Sequence, residues 1–477
     1  MKRLTPIVVL LVCPVALARS TSASPPEERT LHRREAIQVA LAQNPRIAAA
    51  RAEESVLVAQ RRQVDAARFP IVSLEAGVGP ALKATLVPGT TVDSREKQYG
   101  GFKGSDLSAV FLGNLTIAQP LFTFGKIATR REATDHGLRA REAQTRMERA
   151  DVAQEVAQLY EGYLLARDAE RFFDEILHWL QSTEDGIEAK VAGAVEGVSE
   201  RDLLRLQAAT GLANMGLAQA RAGKTQAQAG LVAYLGLPIG ATIRVAEVDL
   251  ELVGDLPPGF SRVMDLAGDR RPELTALREG GRAVDALARA EAAALFPDVF
   301  LLGLLSAAYT PGRDWLDSRF VVDPLNHVVP GLLLGLRWQF QGDGAGARAA
   351  EQRAHVEALH QTERWARAGI SAQVRRAYED VARARHDVQI GGEAARKAKQ
   401  WMVQAGSDYG IGFGDVREVS DAVEAYVTLR TAVLRARFDH NVAMAALSKA
   451  TGVFDRQEPL FYLAPTPDEP PLPEPKP

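Results

Sequence analysis

After Phe69-Pro70 the side chains alternate: Val72, Leu74, Ala76 and Val78 are apolar, while Ser73, Glu75, Gly77 and Gly79 between them are polar or small. A two-residue period sorts these classes onto the two faces of a strand. The same period sets Phe111, Leu115 and Ile117 against Leu112, Asn114 and Thr116. It returns where Leu332, Leu334, Leu336, Trp338 and Phe340 alternate with Leu333, Gly335, Arg337 and Gln339. Residues 299–309 are apolar throughout, so their two faces stay unseparated. The pattern predicts four strands of roughly ten residues, joined in pairs by loops 80–107 and 311–330.

Elsewhere the period is helical. Residues 121–237 and 331–458 contain no proline and are rich in Ala, Glu, Gln, Arg and Leu, with one glycine-rich interruption each, at 192–199 and 405–414. Strong helix propensity over such windows predicts a hairpin of two long helices in each block. In the first block they cover 126–191 and 200–235, about 99 Å and 54 Å at ~1.5 Å per residue. Pro45 and Pro272 suit the first position of a helix, where a missing N–H costs nothing. The helix from Pro45 runs to Phe69-Pro70, adding about 36 Å. Stacked end to end, the two shorter helices nearly match the long one beside them. The expected body is slender and about 100 Å long.

The chain repeats itself. Asn44-Pro45-Arg46-Ile47 leads to Phe69-Pro70, and Arg271-Pro272-Glu273-Leu274 leads to Phe296-Pro297, with 25 residues from proline to proline in both cases. Each half then reads strand, loop, strand and helical hairpin, ending at Leu235-Gly236 or Thr451-Gly452. This divides the chain into a first repeat (31–236), a proline-bearing linker (237–267) that fits a belt around the helices, a second repeat (268–455) and a proline-rich tail (456–477), of which 464–477 is expected to be extended or disordered.

Composition narrows what such a body can be. Across 477 residues the net charge is −3, so the basic excess of a nucleic-acid binder is missing. One cysteine, Cys13, excludes a disulfide framework. It falls within residues 1–18, where Lys2, Arg3, an apolar stretch and Ala16-Leu17-Ala18 make a secretory signal peptide, with cleavage possible as late as 23. No run of 18 apolar residues is present, so the helices do not span a membrane. The strands have the length to do so, at ~9–11 residues each.

Lipid-exposed strands must close into a barrel, and membrane barrels start at about eight strands. Four strands therefore require several copies of the chain. Phe69, Phe111, Phe122, Phe124, Phe296, Trp338 and Phe340 cluster at or near the strand ends, as an interfacial aromatic girdle would. The alternative is a soluble periplasmic coiled-coil scaffold whose strands form a water-facing sheet. Detergent-dependent extraction separates the two.

Enzyme chemistry finds little support. His355 and His360 are five apart, missing the i, i+4 spacing of a shared metal, and Gly410-Ile411-Gly412-Phe413-Gly414 follows no strand as a dinucleotide loop must. No catalytic, metal or cofactor site is expected.

The ordered set Glu35-Ala36-Ile37, Ala40-Leu41, Asn44-Pro45, Phe69-Pro70 and Gln119-Pro120-Leu121-Phe122, repeated in plan in the second half, resembles the TolC-like outer-membrane efflux and export channels over about 31–455. The resemblance implies a mainly α fold with a membrane β-barrel part. Three copies would make a twelve-stranded outer-membrane barrel above a helical periplasmic tunnel. It implies a passive exit duct for a tripartite efflux pump or type I secretion system. A periplasmic adaptor and an inner-membrane pump of RND, ABC or MFS type would be its partners. In such channels the hairpin tips close an acid-lined periplasmic gate. Glu418 and Asp421, three apart on one helix face, and Asp202 fall where that gate is expected. As charges at a helix start they also suit the helix dipole. Gly193, Gly197, Tyr409, Gly412 and Gly414 fall at the tips that would meet the adaptor. Gly414 stands where some members carry an arginine that ties the tips together, so any lock here must differ. Trp315 and Phe320 are expected to fold the second external loop over the barrel mouth.

Overall fold

The computed structural model describes residues 29–84, 107–193, 199–238, 240–257, 259–315, 322–339, 342–454 and 462. The signal segment, Gly197, Phe320, Phe340 and the tail beyond Tyr462 lie outside these residues. In chain order the elements are β1 (Arg29–Leu31), α1 (Arg33–Gln43), α2 (Pro45–Ala66), β2 (Ile71–Leu82), β3 (Leu107–Phe122), α3 (Lys126–Ala192) and α4 (Glu200–Tyr234). There follow β4 (Ile243–Val245), α5 (Phe260–Arg270), α6 (Pro272–Ala293), β5 (Asp298–Tyr309), β6 (His327–Arg337), α7 (Gly344–Gly410) and α8 (Val416–Ala450).

The halves match in element length. α3 and α7 each have 67 residues, α4 and α8 each 35, and α2 and α6 each 22. Pro45 and Pro272 open α2 and α6 at the first helical turn. Two short helices of 11 residues, α1 and α5, precede them and were not anticipated by the sequence pattern. α2 and α4 lie end to end along α3, about 100 Å long at ~1.5 Å per residue. α6 and α8 lie against α7 in the same way.

The junction between stacked helices explains the Leu-Gly and Thr-Gly stops. Gly236 and Gly452 both adopt positive φ (68° and 71°), and each ends its helix with the paired backbone bonds of a Schellman turn. A Cβ on Gly236 would stand 2.6 Å from the Gln43 carbonyl oxygen, and one on Gly452 2.7 Å from that of Arg270. Only glycine lets the end of one helix abut the start of the next. The junctions are then bonded: Asn44 Nδ2 donates to the Tyr234 carbonyl at 2.8 Å, and Arg271 donates to that of Lys449 at 3.3 Å.

Around these junctions sits the larger of two helical cores, a waist formed by α1, α3, α5, α7, α8 and the short parallel pair β1–β4. The 246–257 segment crosses the waist. Leu250 N–H donates to Asp168 at 2.8 Å, Val253 N–H to Asn441 at 2.9 Å, and Arg385 pairs with Asp255 at 2.9 Å. His440 is fully buried here, with Nδ1 3.2 Å from Asn441 Oδ1 and Nε2 lacking a partner among the described residues. Burial holds its imidazole below the usual pKa, outweighing the Asn441 hydrogen bond. Below the ordinary histidine pKa of about 6.5, the unfolded chain takes up a proton that the folded chain refuses, so stability falls as pH drops. Thermal unfolding from pH 7.5 to 5 is expected to show this fall, and His440→Leu to flatten it.

The strands form one four-stranded antiparallel sheet in the order β2-β3-β5-β6. β3 begins at Leu107 and β6 at His327, earlier than the alternation alone indicated, and β6 stops at Arg337. Pro80 and Pro330 both lie on edge strands, where a missing N–H is tolerated.

Candidate functional site

Register separates the two faces of the sheet, including those of β5. One face carries the rows Val72–Ile117–Gly303–Leu332, Leu74–Leu115–Leu305–Pro330 and Val78–Phe111–Tyr309. The other carries Ser73–Thr116–Leu304–Gly331, Glu75–Asn114–Ser306–Val329 and Gly77–Leu112–Ala308–His327. Every charged or histidine side chain within the four strands (Glu75, Asp298, His327 and Arg337) falls on this second face. The polar groups there satisfy one another. Ser306 Oγ lies 2.9 Å from both Asn114 Oδ1 and His327 Nε2, and Arg337 stacks over the Phe300 ring.

Among the described residues, nothing covers the apolar face. Leu74, Leu332 and Leu334 are 74%, 73% and 72% exposed. A contiguous apolar surface of this kind marks a membrane or partner interface. It does not fit the water-facing sheet of a soluble scaffold. Among the described residues, the outer edges of β2 and β6 are also unpaired. Because the four strands alternate in direction, β6 of one copy can join β2 of the next in antiparallel fashion.

The aromatic residues form two groups. Phe69, Phe122, Phe124, Phe296 and Trp338 gather where strands meet helices. Phe124 packs edge-on to Phe122 at 4.7 Å and stacks on Phe296 at 5.3 Å, while the Trp338 indole donates to the Leu295 carbonyl at 3.1 Å. Phe111 belongs to the other group. Since β3 starts at Leu107, Phe111 lies inside the strand, on the apolar face beside Tyr309, which the sequence reading missed. From Phe111 to Phe122 the strand covers about 36 Å at ~3.3 Å per residue, or about 28 Å when tilted ~40°. That matches the ~25 Å apolar band of an outer-membrane barrel. Beyond the Phe111 end, Arg313 and Asp323 form a buried ion pair at 2.6 Å that fixes the second loop, with Trp315 exposed beside it.

At the opposite end the helical hairpins turn. α7 ends in a Schellman turn in which Phe413 N–H donates to Asp408 O at 2.9 Å and Gly412 adopts φ 87°. A Cβ on Gly414 would stand 2.7 Å from the Tyr409 backbone nitrogen, so this turn has no room for a side chain at 414. Asp415 caps α8 by accepting from Arg417 N–H at 3.0 Å. Glu418 accepts from the Trp401 indole at 3.3 Å, and Asp421 is exposed. Asp202 is engaged in a capping box, accepting from the Ser199 N–H at 2.9 Å and hydroxyl at 2.8 Å. That gives it a structural task at the start of α4.

Tyr409 differs from expectation. Its side chain is buried in the tip core, so it is not part of the contact surface. Burial, with a smaller push from Asp202, raises its phenol above the usual tyrosine range. Lys190, at the end of α3, lies over the Tyr409 ring at 4.4 Å and donates to the Tyr409 carbonyl at 3.1 Å. It joins the first hairpin to the second and completes the last turn of α7 with a cation. Gly193 and Gly412 are exposed. Among the described residues, the most exposed large apolar residues at the tip are Ile411 (69%) and Phe413 (89%), neither of them anticipated. Their signal lay in plain view: two bulky apolar residues in a glycine-rich turn too short to bury them.

Residues 36–237 match the outer membrane efflux protein family. No curated protein matches the chain in sequence. Solved structures match over nearly its whole length. The Neisseria gonorrhoeae MtrE outer membrane channel in its open state is similar at 19% identity and a TM-score of 0.72, covering 88% of this chain and 89% of that one. The Campylobacter jejuni CmeC outer membrane channel gives 17% identity and 0.72, with coverages of 91% and 87%. The outer membrane protein VceC from Vibrio cholerae gives 17% and 0.71, with coverages of 88% and 96%. At these identities the likeness establishes the fold.

Proposed function

We propose that the chain is a TolC-like outer-membrane efflux channel and the exit duct of an export system, conducting substrate passively from the periplasm to the outside. The observation that carries this reading is the four-stranded sheet, with one apolar face, a second face that carries every charged side chain of its strands, and, among the described residues, two open edges. Three copies joined β6 to β2 give a closed twelve-stranded barrel with the apolar face toward lipid and the second face toward the pore. The protein sits in the outer membrane of a Gram-negative bacterium, with its helices extending into the periplasm. Exposed apolar positions on both flanks of the helical body, Leu204, Leu212 and Met215 on α4 and Ile390 and Val403 on α7, support contact between neighbouring copies.

The tips form the gate. Lys190 holds the two hairpins of one protomer together in place of the arginine that Gly414 cannot supply. Glu418 and Asp421 supply carboxylates close to the threefold axis, which favour cations. Glu418→Gln with Asp421→Asn is expected to lower cation selectivity in a planar bilayer. An unchanged reversal potential across a salt gradient would remove both residues from the pore.

The tip is also the docking end for a periplasmic adaptor served by an inner-membrane pump. Ile411 and Phe413 offer it an apolar anchor, and buried aromatic anchors dominate such contacts at 2 kcal/mol or more, by rough account. Phe413→Asp is expected to weaken adaptor binding to channels in lipid nanodiscs by about thirtyfold, with the trimer intact. Equal binding by both proteins would place the contact elsewhere.

A further inference from the structure

Both ends of the described chain meet at the waist around one carboxylate. Glu161, near the middle of α3, is fully buried. Arg33 Nε donates to its Oε1 at 2.6 Å, the Tyr462 hydroxyl to the same oxygen at 2.7 Å, and Asn441 Nδ2 to Oε2 at 2.7 Å. Asn441 also donates to the Glu251 carbonyl at 2.7 Å and accepts from Val253 N–H at 2.9 Å. Arg33 reaches a second acid, its backbone N–H donating to Glu247 Oε1 at 3.2 Å. Five separate pieces of chain converge here: the start of α1, α3, the 247–253 segment, α8 and Tyr462.

Tyr462 is seated to make this bond. It is 1% exposed, its ring stands edge-on to Phe454 at 5.9 Å, and its N–H donates to Ser448 Oγ at 3.2 Å. Burial, reinforced by the Glu161 charge, raises the phenol well above the usual tyrosine range, so it remains a donor. A buried carboxylate needs several good donors, and losing one leaves charge uncompensated in a site that water does not reach.

We propose that Tyr462 is a clasp: by completing the hydrogen bonding of Glu161, it locks the waist and, through Arg33, the N-terminal strand of the same chain. Tyr462 is then part of the folded duct. Strand β1 is held by this clasp as well as by its pairing with β4. The clasp needs no channel activity, so it stands or falls separately from the functional reading.

Hydrogen exchange on the full-length protein tests it, comparing Tyr462→Phe with the parent. The substitution keeps the ring on Phe454 and removes only the hydroxyl. Expected is exchange about tenfold faster in β1, β4 and at Val253, distant in sequence from position 462, with barrel strands and hairpin tips unchanged. Tyr163→Phe, on the same helix but with its ring under Arg167, serves as the control and should leave these amides unaltered. Truncation after Phe454 should produce the Tyr462→Phe pattern in stronger form. Unchanged exchange in β1 and β4, or a change confined to 448–454, would overturn the clasp.

Discussion

Arginine in place of Leu74 will keep the protein out of the outer membrane, whereas arginine in place of the adjacent Ser73 will not. Leu74 lies on the apolar face, paired with Leu115 near the middle of the aromatic-bounded band, and it is 74% exposed in the protomer. A lipid-facing arginine at mid-bilayer costs about 2–4 kcal/mol. In the proposed trimer three such residues add up to roughly 6–12 kcal/mol per assembled barrel. That is comparable to the whole stability of an ordinary folded domain, at about 5–15 kcal/mol. Ser73 points to the opposite face, where arginine would be hydrated in the pore. Heat-modifiable migration of the trimer in outer-membrane fractions reads the difference. Equal assembly of both variants would mean that the faces are assigned wrongly.

Lys190→Glu is expected to open the periplasmic end. The lysine contributes through a helix C-terminus, typically 0.3–1 kcal/mol, and through a cation over a ring, about 0.5–1 kcal/mol at an exposed site. Summed over the three protomers of the proposed trimer this is roughly 2–6 kcal/mol, enough to shift a closed-to-open equilibrium by a factor of about 30 or more. The glutamate also brings a negative charge toward Asp202 and the α7 carbonyls, which disfavours the joined state further. Single-channel conductance of purified protein should rise severalfold, and Lys190→Arg should keep the parent value. No rise with Lys190→Glu would place the constriction away from this contact.

Much of the architecture was legible because long-range order here follows local pattern. The helix ends expected at 191, 200 and 235 fall within one residue of those found, since prolines, glycines and a capping serine mark them. Strand existence followed from alternation in β2, β3 and β6. The faces of β5 were illegible because both are apolar, and only pairing with β3 separates Leu305 from Leu304. α1 and α5 were missed because each is short and stops at a residue before proline, so its pattern merges with the helix that follows.

The site was less legible. Glu418 and Asp421 could be located by position in the hairpin, but nothing in the sequence separates a pore carboxylate from a helix-start charge. Asp202 illustrates the ambiguity, being occupied by its capping box. Tyr409 reads as a tip residue in one dimension, whereas in three it faces inward beneath Lys190, 219 residues away in the chain. The Glu161 network, too, joins residues separated by as many as 301 positions. Such pairings leave no periodic trace. They depend on which helix faces meet at the waist.

The claim on which the rest depends is that one chain supplies a third of a membrane barrel. The native mass of the protein extracted by detergent from the outer membrane tests this directly. A trimer in the outer-membrane fraction is the predicted result. A monomer in the soluble periplasmic fraction would leave the apolar sheet face and both edges without partners, contradicting the shared barrel.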